Sequence, residues 1–497
     1  MKQLTKRKLC SMAIIACGAL FFGSCADHYD GDESWSSPVR NATLESPAAG
    51  DIEVNQDKVN GKITISWPVV YGAGGYDYVL LNVSDPEAPD TLKSGWLDGC
   101  SLTFDREEEV NYSFSICTKG NDDLNNKGAE KPTVKTFSSF ESASFPPIPV
   151  GDLFEYFTQN PISTDSIGKE MIFDLEPGGQ YTISNILDFG SQQVTLRSTS
   201  KTKHAIITMS SENGCIRTSA PMTLKYLDFD YAQSKQPAIA LSKEPADSLK
   251  GLLGTQTTYY NIMGAPIFIS SCNFRNLRDK FFFDNNVAKY CVETLTIDNV
   301  TAQFNIPSQL ANHAFIYLQS GFVKDLTIRN TTMWNTSDTN DNNLQYFVRY
   351  ENAGRLDRAG YSRETQTQSV SFINCTFYRM GYDKWANYDG FKGQKYTVIN
   401  VQNNIWLDCC PSGGGIARRI CGGSAASSYN SISFNNNTYW NAGKSEITPE
   451  TSQNYDLGKV LQTDPAFVDV DNGNFMPTGS DQVDFQTGDP RWFDDGK

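Results

Sequence analysis

Along the second half of the chain one phrase recurs: a short run alternating apolar and polar residues, one polar residue, then a second short alternating run. It is plainest in SVSFINCTFYRMGY (369–382) and SISFNNNTYWNAG (431–443). Aligning the repeats places a single polar residue after each first run, at Ser271, Asn299, Asn330, Asn374, Gln402 and Asn436, with successive separations of 28, 31, 44, 28 and 34 residues. Fixed phase with variable insertions predicts a solenoid whose coils share strands and differ in loops. The runs before the bend (IFIS, LTID, LTIR, VSFI, VINV, ISFN) are strands, and the residues that turn inward after it are Phe274, Ala302, Met333, Phe377, Ile405 and Tyr439. Strand, Asn bend, strand is how a parallel β-helix turns a corner. Asn299, Asn330, Asn374 and Asn436 are therefore expected to form a structural bend ladder, their amides bonding along the axis and satisfying polar atoms that face a dry core. Cys272 and Cys375 fall in one packing column just after the bend.

The pattern upstream is different. ITISWPVV (63–70), YDYVLL (76–81), SLTF (101–104) and YSFSICTKG (112–120) are short alternating strands at the spacing of a β-sandwich. With Trp67 as a core tryptophan and Tyr112 opening a late strand, residues 40–140 resemble a fibronectin type III domain, which implies a spacer. SSFESASFPPIPVG (138–151) then carries a Pro-rich linker over 141–150.

The remaining segment, 151–497, carries a second resemblance. LFEYFTQNPIS…MIFDLEPGGQYTISNIL (153–187) looks like the opening of pectate-lyase-like right-handed parallel β-helices, with a capping helix, a strand and a GxY-type turn. DPAFVDVDNGNFMPTGSD…GDPRWF (464–493) is similar to the closing coil of β-helix lipoproteins from glycan-utilisation loci. The expected fold class is all-β: a fibronectin type III-like β-sandwich followed by a right-handed parallel β-helix with an N-terminal cap and a C-terminal capping segment. DVDNGN (469–474) lacks the Glu that closes an EF-hand and is read as a hairpin turn.

Composition narrows the partners. The chain has 497 residues, 39% of them hydrophobic, and a formal charge of −15. Such a balance argues against nucleic acid or an anionic membrane surface, both of which need a basic face. Residues 1–24 read as a signal peptide: Lys2, Lys6, Arg7 and Lys8 precede the apolar stretch 9–22, which is too short to span a bilayer. FFGSC resembles a bacterial lipobox and implies lipidation at Cys25, with Cys17 the weaker candidate. An acidic tether, 25–39, follows. The resemblance implies an outer membrane lipoprotein exposed at the cell surface, anchored by lipid, with a glycan transporter as its neighbour. Of the nine cysteines after Cys25 none forms a CxxC pair, although Cys100 and Cys117 are close enough in sequence to pair within the first domain.

Fold does not give chemistry, so the site is sought in columns of outward residues. Next to the inward post-bend residues lie Arg275, Gln303, Trp334, Tyr378, Trp406 and Trp440. The four aromatics form a predicted strip for stacking sugar rings, unless the long insertion between Asn330 and Asn374 folds over it. A polyuronate lyase would instead need carboxylates on neighbouring coils to hold Ca2+, with an Arg or Lys base. No such acidic column is found. Asp298 and Arg329 are expected to form an ion pair between coils, and Asp228 and Asp230 are an acidic pair with no base assigned to them. Candidate bases lie in loops: Arg275, Arg278 and Lys280, Arg379 with Lys384, and Arg418 with Arg419. No metal site and no resident cofactor are expected, Ca2+ entering only with a lyase. Binding of extracellular polysaccharide is the leading expectation; a pectate-type polysaccharide lyase and a structural surface protein without ligand are the alternatives.

Overall fold

A computed structural model of the chain describes residues 39–85, 87–251, 259–262, 266–352, 354–413, 415–421, 431–446, 456 and 460–493. The signal segment, Cys25 and the tether up to residue 38 lie outside the described residues. The chain divides into two compact units, one ending at Ser139 and the other beginning at Phe140, the latter also taking in Ser84–Glu87.

In the first unit, strands Glu53–Asp57, Lys62–Ser66 and Ser101–Asp105 form one antiparallel sheet. Asp90–Leu97, Tyr76–Asn82, Asn111–Thr118 and Thr133–Ser138 form another. Three strands against four is the sandwich expected of a fibronectin type III-like fold. Alternation builds the core: in Asn111–Thr118 every second residue is buried, and Trp67, Tyr112 and Phe114 meet between the sheets. Tyr112 Oη donates to Glu107 O (3.3 Å) and accepts from Glu107 N (3.2 Å), a tyrosine corner that ties the turn to the strand it precedes. Cys100 and Cys117 do not pair. Both are free thiols, one beside Tyr76 Oη and the other beside Ala129 O.

The second unit is the parallel β-helix. Among the described residues the first seven coils cross three faces and the last two cross only the first two. The first face runs from Glu170–Leu175 to Ser431–Asn435, the second from Gln180–Ile183 to Thr438–Asn441, and the third from Ile186–Asp188 to Lys384–Asn387. Successive coils pair in parallel on every face. Helix Leu153–Gln159, capped where Asp152 Oδ1 accepts from Glu155 N (2.9 Å), buries Leu153 and Phe157 against Phe173 and Phe189 and covers the open end of the first coil. The predicted linker 141–150 is part of this unit. Ser144 N and Ile148 N donate to Ile172 O and Asp174 O, and Ile148 is fully buried.

The predicted corner forms with one correction. Ser271, Asn299, Asn330, Asn374, Asn403 and Asn436 all adopt left-handed backbone, with φ between 50° and 55°. Asn tolerates that conformation better than most residues because its short amide bonds locally. The last-but-one bend is thus Asn403, not Gln402, and the final separations become 29 and 33. Along the axis Asn374 Nδ2 donates to Asn330 Oδ1 (3.2 Å) and Asn403 Nδ2 to Asn374 Oδ1 (3.1 Å). Asn299 reaches Ser271 Oγ, whereas Asn330 turns to Asp298 Oδ1. These amides lie at the surface of the corner. The polar atoms inside it are satisfied by the next residue: Asn404 accepts from Cys375 N and donates to Phe372 O, and Asn437 accepts from Asn404 N and donates to Val401 O.

Shifting the bend by one residue moves the column beyond it to the other face. The inward column is Phe274, Ala302, Met333, Phe377, Trp406 and Tyr439, aligned by strand register and buried throughout. Trp406 and Tyr439 stack with ring centres 4.9 Å apart and planes 4° apart.

Candidate functional site

The outward column of the second face is therefore Arg275, Gln303, Trp334, Tyr378, Leu407 and Trp440. The predicted strip loses Trp406 to the core and is interrupted by Leu407. What covers its start is the closing segment, not the long insertion, which supplies strand Leu344–Tyr350 to the third face. Phe475, fully buried in the hairpin Phe467–Asp469/Asn474–Pro477, sits 5.4 Å from the Trp334 ring and 6.0 Å from that of Tyr378. The chain then runs back along the Asn corner. Thr487 Oγ1 donates to Asn436 O, Gly488 N to Asn403 O, and Arg491 Nη2 to both Asn330 O and Asn299 Oδ1. Buried Asp489 locks this strap, accepting from Thr332 Oγ1 (2.8 Å) and Arg491 Nε (2.7 Å). Desolvation pushes its carboxyl above the ordinary value. Trp334 and Tyr378 are half-buried under this packing, and Trp440 is half-buried at the far end.

At the polar end of the same face, Asp228 Oδ1 meets His204 Nδ1 (2.8 Å) and Asn273 Nδ2 (2.7 Å), and Asp230 Oδ1 accepts from Asn276 Nδ2 (2.9 Å). Arg275 stands opposite Asp230 and is exposed. Asp298 and Arg329 pair at 2.8 Å as expected. Arg418 and Arg419 belong to the five-residue helix Ile416–Ile420, where consecutive side chains diverge by about 100°, so they do not form one clamp. Arg278 is half-buried on the loop before Lys280. Among the described residues no three His, Cys, Asp or Glu side chains are grouped to hold a metal ion.

Of the seven loop cations, Lys280 and Lys384 join a larger assembly, on the third face. Register aligns Phe283, Tyr317, Arg349 and Asn387 in one outward column and Ala314, Tyr346 and Lys384 in the next. Phe283, Tyr317, Tyr346 and Ala314 form a small apolar cluster separate from the main core. Three cations lie over these rings: Lys280 over Phe283 (4.8 Å), Arg349 over Tyr346 (5.1 Å) and Tyr317 (5.6 Å), and Lys384 over Tyr346 (5.6 Å). Each also has a carboxylate partner: Lys280 with Asp279 (2.9 Å), Arg349 with Glu351 (3.0 Å), Lys384 with Asp383 (2.8 Å). Tyr317 Oη donates to Glu351 Oε2 at 2.5 Å, and both burial and that bond raise its pKa. Arg349 Nη1 donates to Asn312 O, at the left-handed residue inside the adjacent coil's strand Leu310–Leu318. The His313 ring is 5.9 Å from that of Tyr317, and desolvation, with help from Lys280, lowers its pKa so that it is neutral at pH 7. His313 Nδ1 and Arg349 Nε are buried and meet no hydrogen-bond partner among the described residues.

This assembly spans four successive coils, and apart from Lys280 and Lys384 its members did not stand out in the sequence. Its signal is the charged and aromatic alternation of HAFIYLQ (313–319), QYFVRYE (345–351) and DKWAN (383–387), which lies outside the bend-centred alignment.

Three family models match the chain. Residues 1–178, 179–336 and 370–492 each match a domain of unknown function, the last two being DUF4957 and DUF5123. No curated protein matches it. Among solved structures, it is similar to the PL6 family alginate lyase AlyGC at 16% identity, covering 56% of this chain and 36% of that one with a TM-score of 0.31. The chain thus spans about a third of that enzyme's length. Pectate lyase PelI from Erwinia chrysanthemi, solved with tetragalacturonic acid, is 11% identical over 75% of this chain and 90% of its own, with a TM-score of 0.23. The catalytic unit of a GH87 alpha-1,3-glucanase from Streptomyces thermodiastaticus is 14% identical over 76% and 70%, with a TM-score of 0.22.

Proposed function

We propose that this chain is a surface lipoprotein, acylated at Cys25, that binds extracellular polysaccharide on the third face of its β-helix. The observation that carries the reading is the fixed polar rim on that face. Lys280, Arg349, Lys384 and their carboxylate partners are held over an aromatic floor by ion pairs and cation–π contacts, and His313 Nδ1 and Arg349 Nε, both buried, meet no hydrogen-bond partner among the described residues. Side chains already ordered before binding lose little entropy when a ligand arrives. Coils repeat every ~4.8 Å, a step comparable to one sugar ring, so a linear polymer laid along the axis would meet new rim groups at each residue. Direct hydrogen bonding by charged side chains is stronger than by neutral ones and suits a ligand rich in hydroxyls.

The test is affinity electrophoresis of the soluble chain beginning after Cys25 against a panel of plant and host polysaccharides, while ultraviolet absorbance follows unsaturated uronates. Retention by at least one polymer, lost in Arg349→Ala and Lys384→Ala but kept in Arg418→Ala, supports the reading. Retention unchanged in both rim variants refutes this site. Growing absorbance would make the chain a lyase and displace binding as its function.

A further inference from the structure

We infer that the third-face site selects neutral sugars and rejects uronates; this rests on the reading that the site binds glycan. The reason is the balance of charge and of donors within the rim. Three cations, Lys280, Arg349 and Lys384, are matched one for one by Asp279, Glu351 and Asp383, and His313 is neutral. An incoming carboxylate therefore finds no excess positive charge, and it must approach three carboxylates that are already in place. Glu351 is the most exposed of these, its side chain 37% accessible, with Asp383 at 22% and Asp279 at 18%.

Hydrogen-bond capacity points the same way. Ionised carboxylates only accept, and the neutral His313 ring offers one donor and one acceptor. Lys280 lends charge to both oxygens of Asp279, at 2.9 and 3.1 Å, and Gln345 Nε2 also donates to Asp383. Spare acceptor positions on Glu351, Asp383 and Asp279 call for ligand donors. Hydroxyl groups supply donors and acceptors together, whereas a carboxylate supplies none. Pairs of vicinal hydroxyls set between a cation and a carboxylate satisfy both ends. The protein's overall charge of −15 adds a long-range field that disfavours a polyanion in the same sense.

The test compares matched polymers: polygalacturonate and alginate against their carboxyl-reduced counterparts, with neutral galactan, glucan, mannan and xylan alongside, at low and high salt. The expected result is retention of a neutral polymer at least about tenfold tighter than of any acidic one, with little dependence on salt. In the double variant Glu351→Gln/Asp383→Asn, retention of the acidic polymers should rise, a gain that misfolding does not produce. Tighter binding of an acidic polymer by the unaltered chain, weakening as salt is added, overturns the inference and leaves glycan binding standing. Retention of no polymer removes the binding reading itself, and the inference with it.

Discussion

Replacing Trp406 by Ala separates the two registers of the final coils. On a bend at Gln402, Trp406 would face solvent and its loss would abolish glycan binding without touching stability. On the observed bend at Asn403 it is wholly buried, stacked on Tyr439 at 4.9 Å and on Phe377 at 5.7 Å, and edge-on to Trp385 at 5.6 Å. A buried aromatic of this size removes about 150–250 Å² from water, which at about 25 cal/mol per Å² is worth about 4–6 kcal/mol. Large-to-small changes of this kind typically cost about 3–5 kcal/mol. The coil cannot collapse into the gap without breaking the parallel register of its neighbours, so the upper part of that range is expected. The assay is thermal unfolding with resistance to a protease as a second probe. In a domain of this size the fall in Tm should be about 5–10 °C. Trp440→Ala, at a half-buried position, should lose a third of that or less. A Trp406→Ala protein with unchanged Tm and protease resistance would refute the inward assignment and with it the column alignment of both faces.

The corner and the strap make further predictions. Asn374→Ala should destabilise by about 2–3 kcal/mol, combining left-handed backbone strain with the loss of two amide bonds, one to Asn330 and one from Asn403. Asn374→Gly, which removes the two bonds without the strain, should lose about 1 kcal/mol, and equal losses in the two variants would contradict the left-handed bend. Asp489→Ala leaves Arg491 and Thr332 without their shared acceptor and should cost about 3 kcal/mol. The double variant with Arg491→Ala should be clearly less than additive, which chemical denaturation can measure. For His313 the folded pKa lies below its ordinary value. Its contribution is therefore complete above about pH 6.5 and is lost as pH falls through the lowered folded pKa. His313→Gln should flatten the loss of Tm between pH 7 and pH 5, and an unaltered pH profile would sink the argument.

Much of the architecture was legible because the physics behind it is local. Period-two alternation marked the strands, and Asn in a left-handed bend marked the corner at Asn299, Asn330, Asn374 and Asn436. The ion pair between Asp298 and Arg329 followed from their places in adjacent coils, and DVDNGN from its turn residues. The sequence misplaced one bend because QNN (402–404) offers three amide residues in a row, and only packing chooses among them. With Asn403 in the bend, Asn404 enters the corner interior and bonds Cys375 N, and Trp406 enters the core. That single step broke the predicted aromatic strip.

What the sequence by itself determined is the kind of fold, the coil period and the identity of most inward residues, since each depends on neighbours a few positions away. Tertiary structure alone decided where the surface chemistry gathers. The closing segment returns across five coils, from Asn436 to Asn299, to lay Asp489 and Arg491 along the Asn corner and Phe475 over the predicted strip. On the third face, Lys280, His313, Arg349 and Lys384 come from coils whose loops differ in length, so no constant spacing announces them. Stacking of coils fixes contacts between residues about 30 or more apart, and that distance is set by every insertion in between.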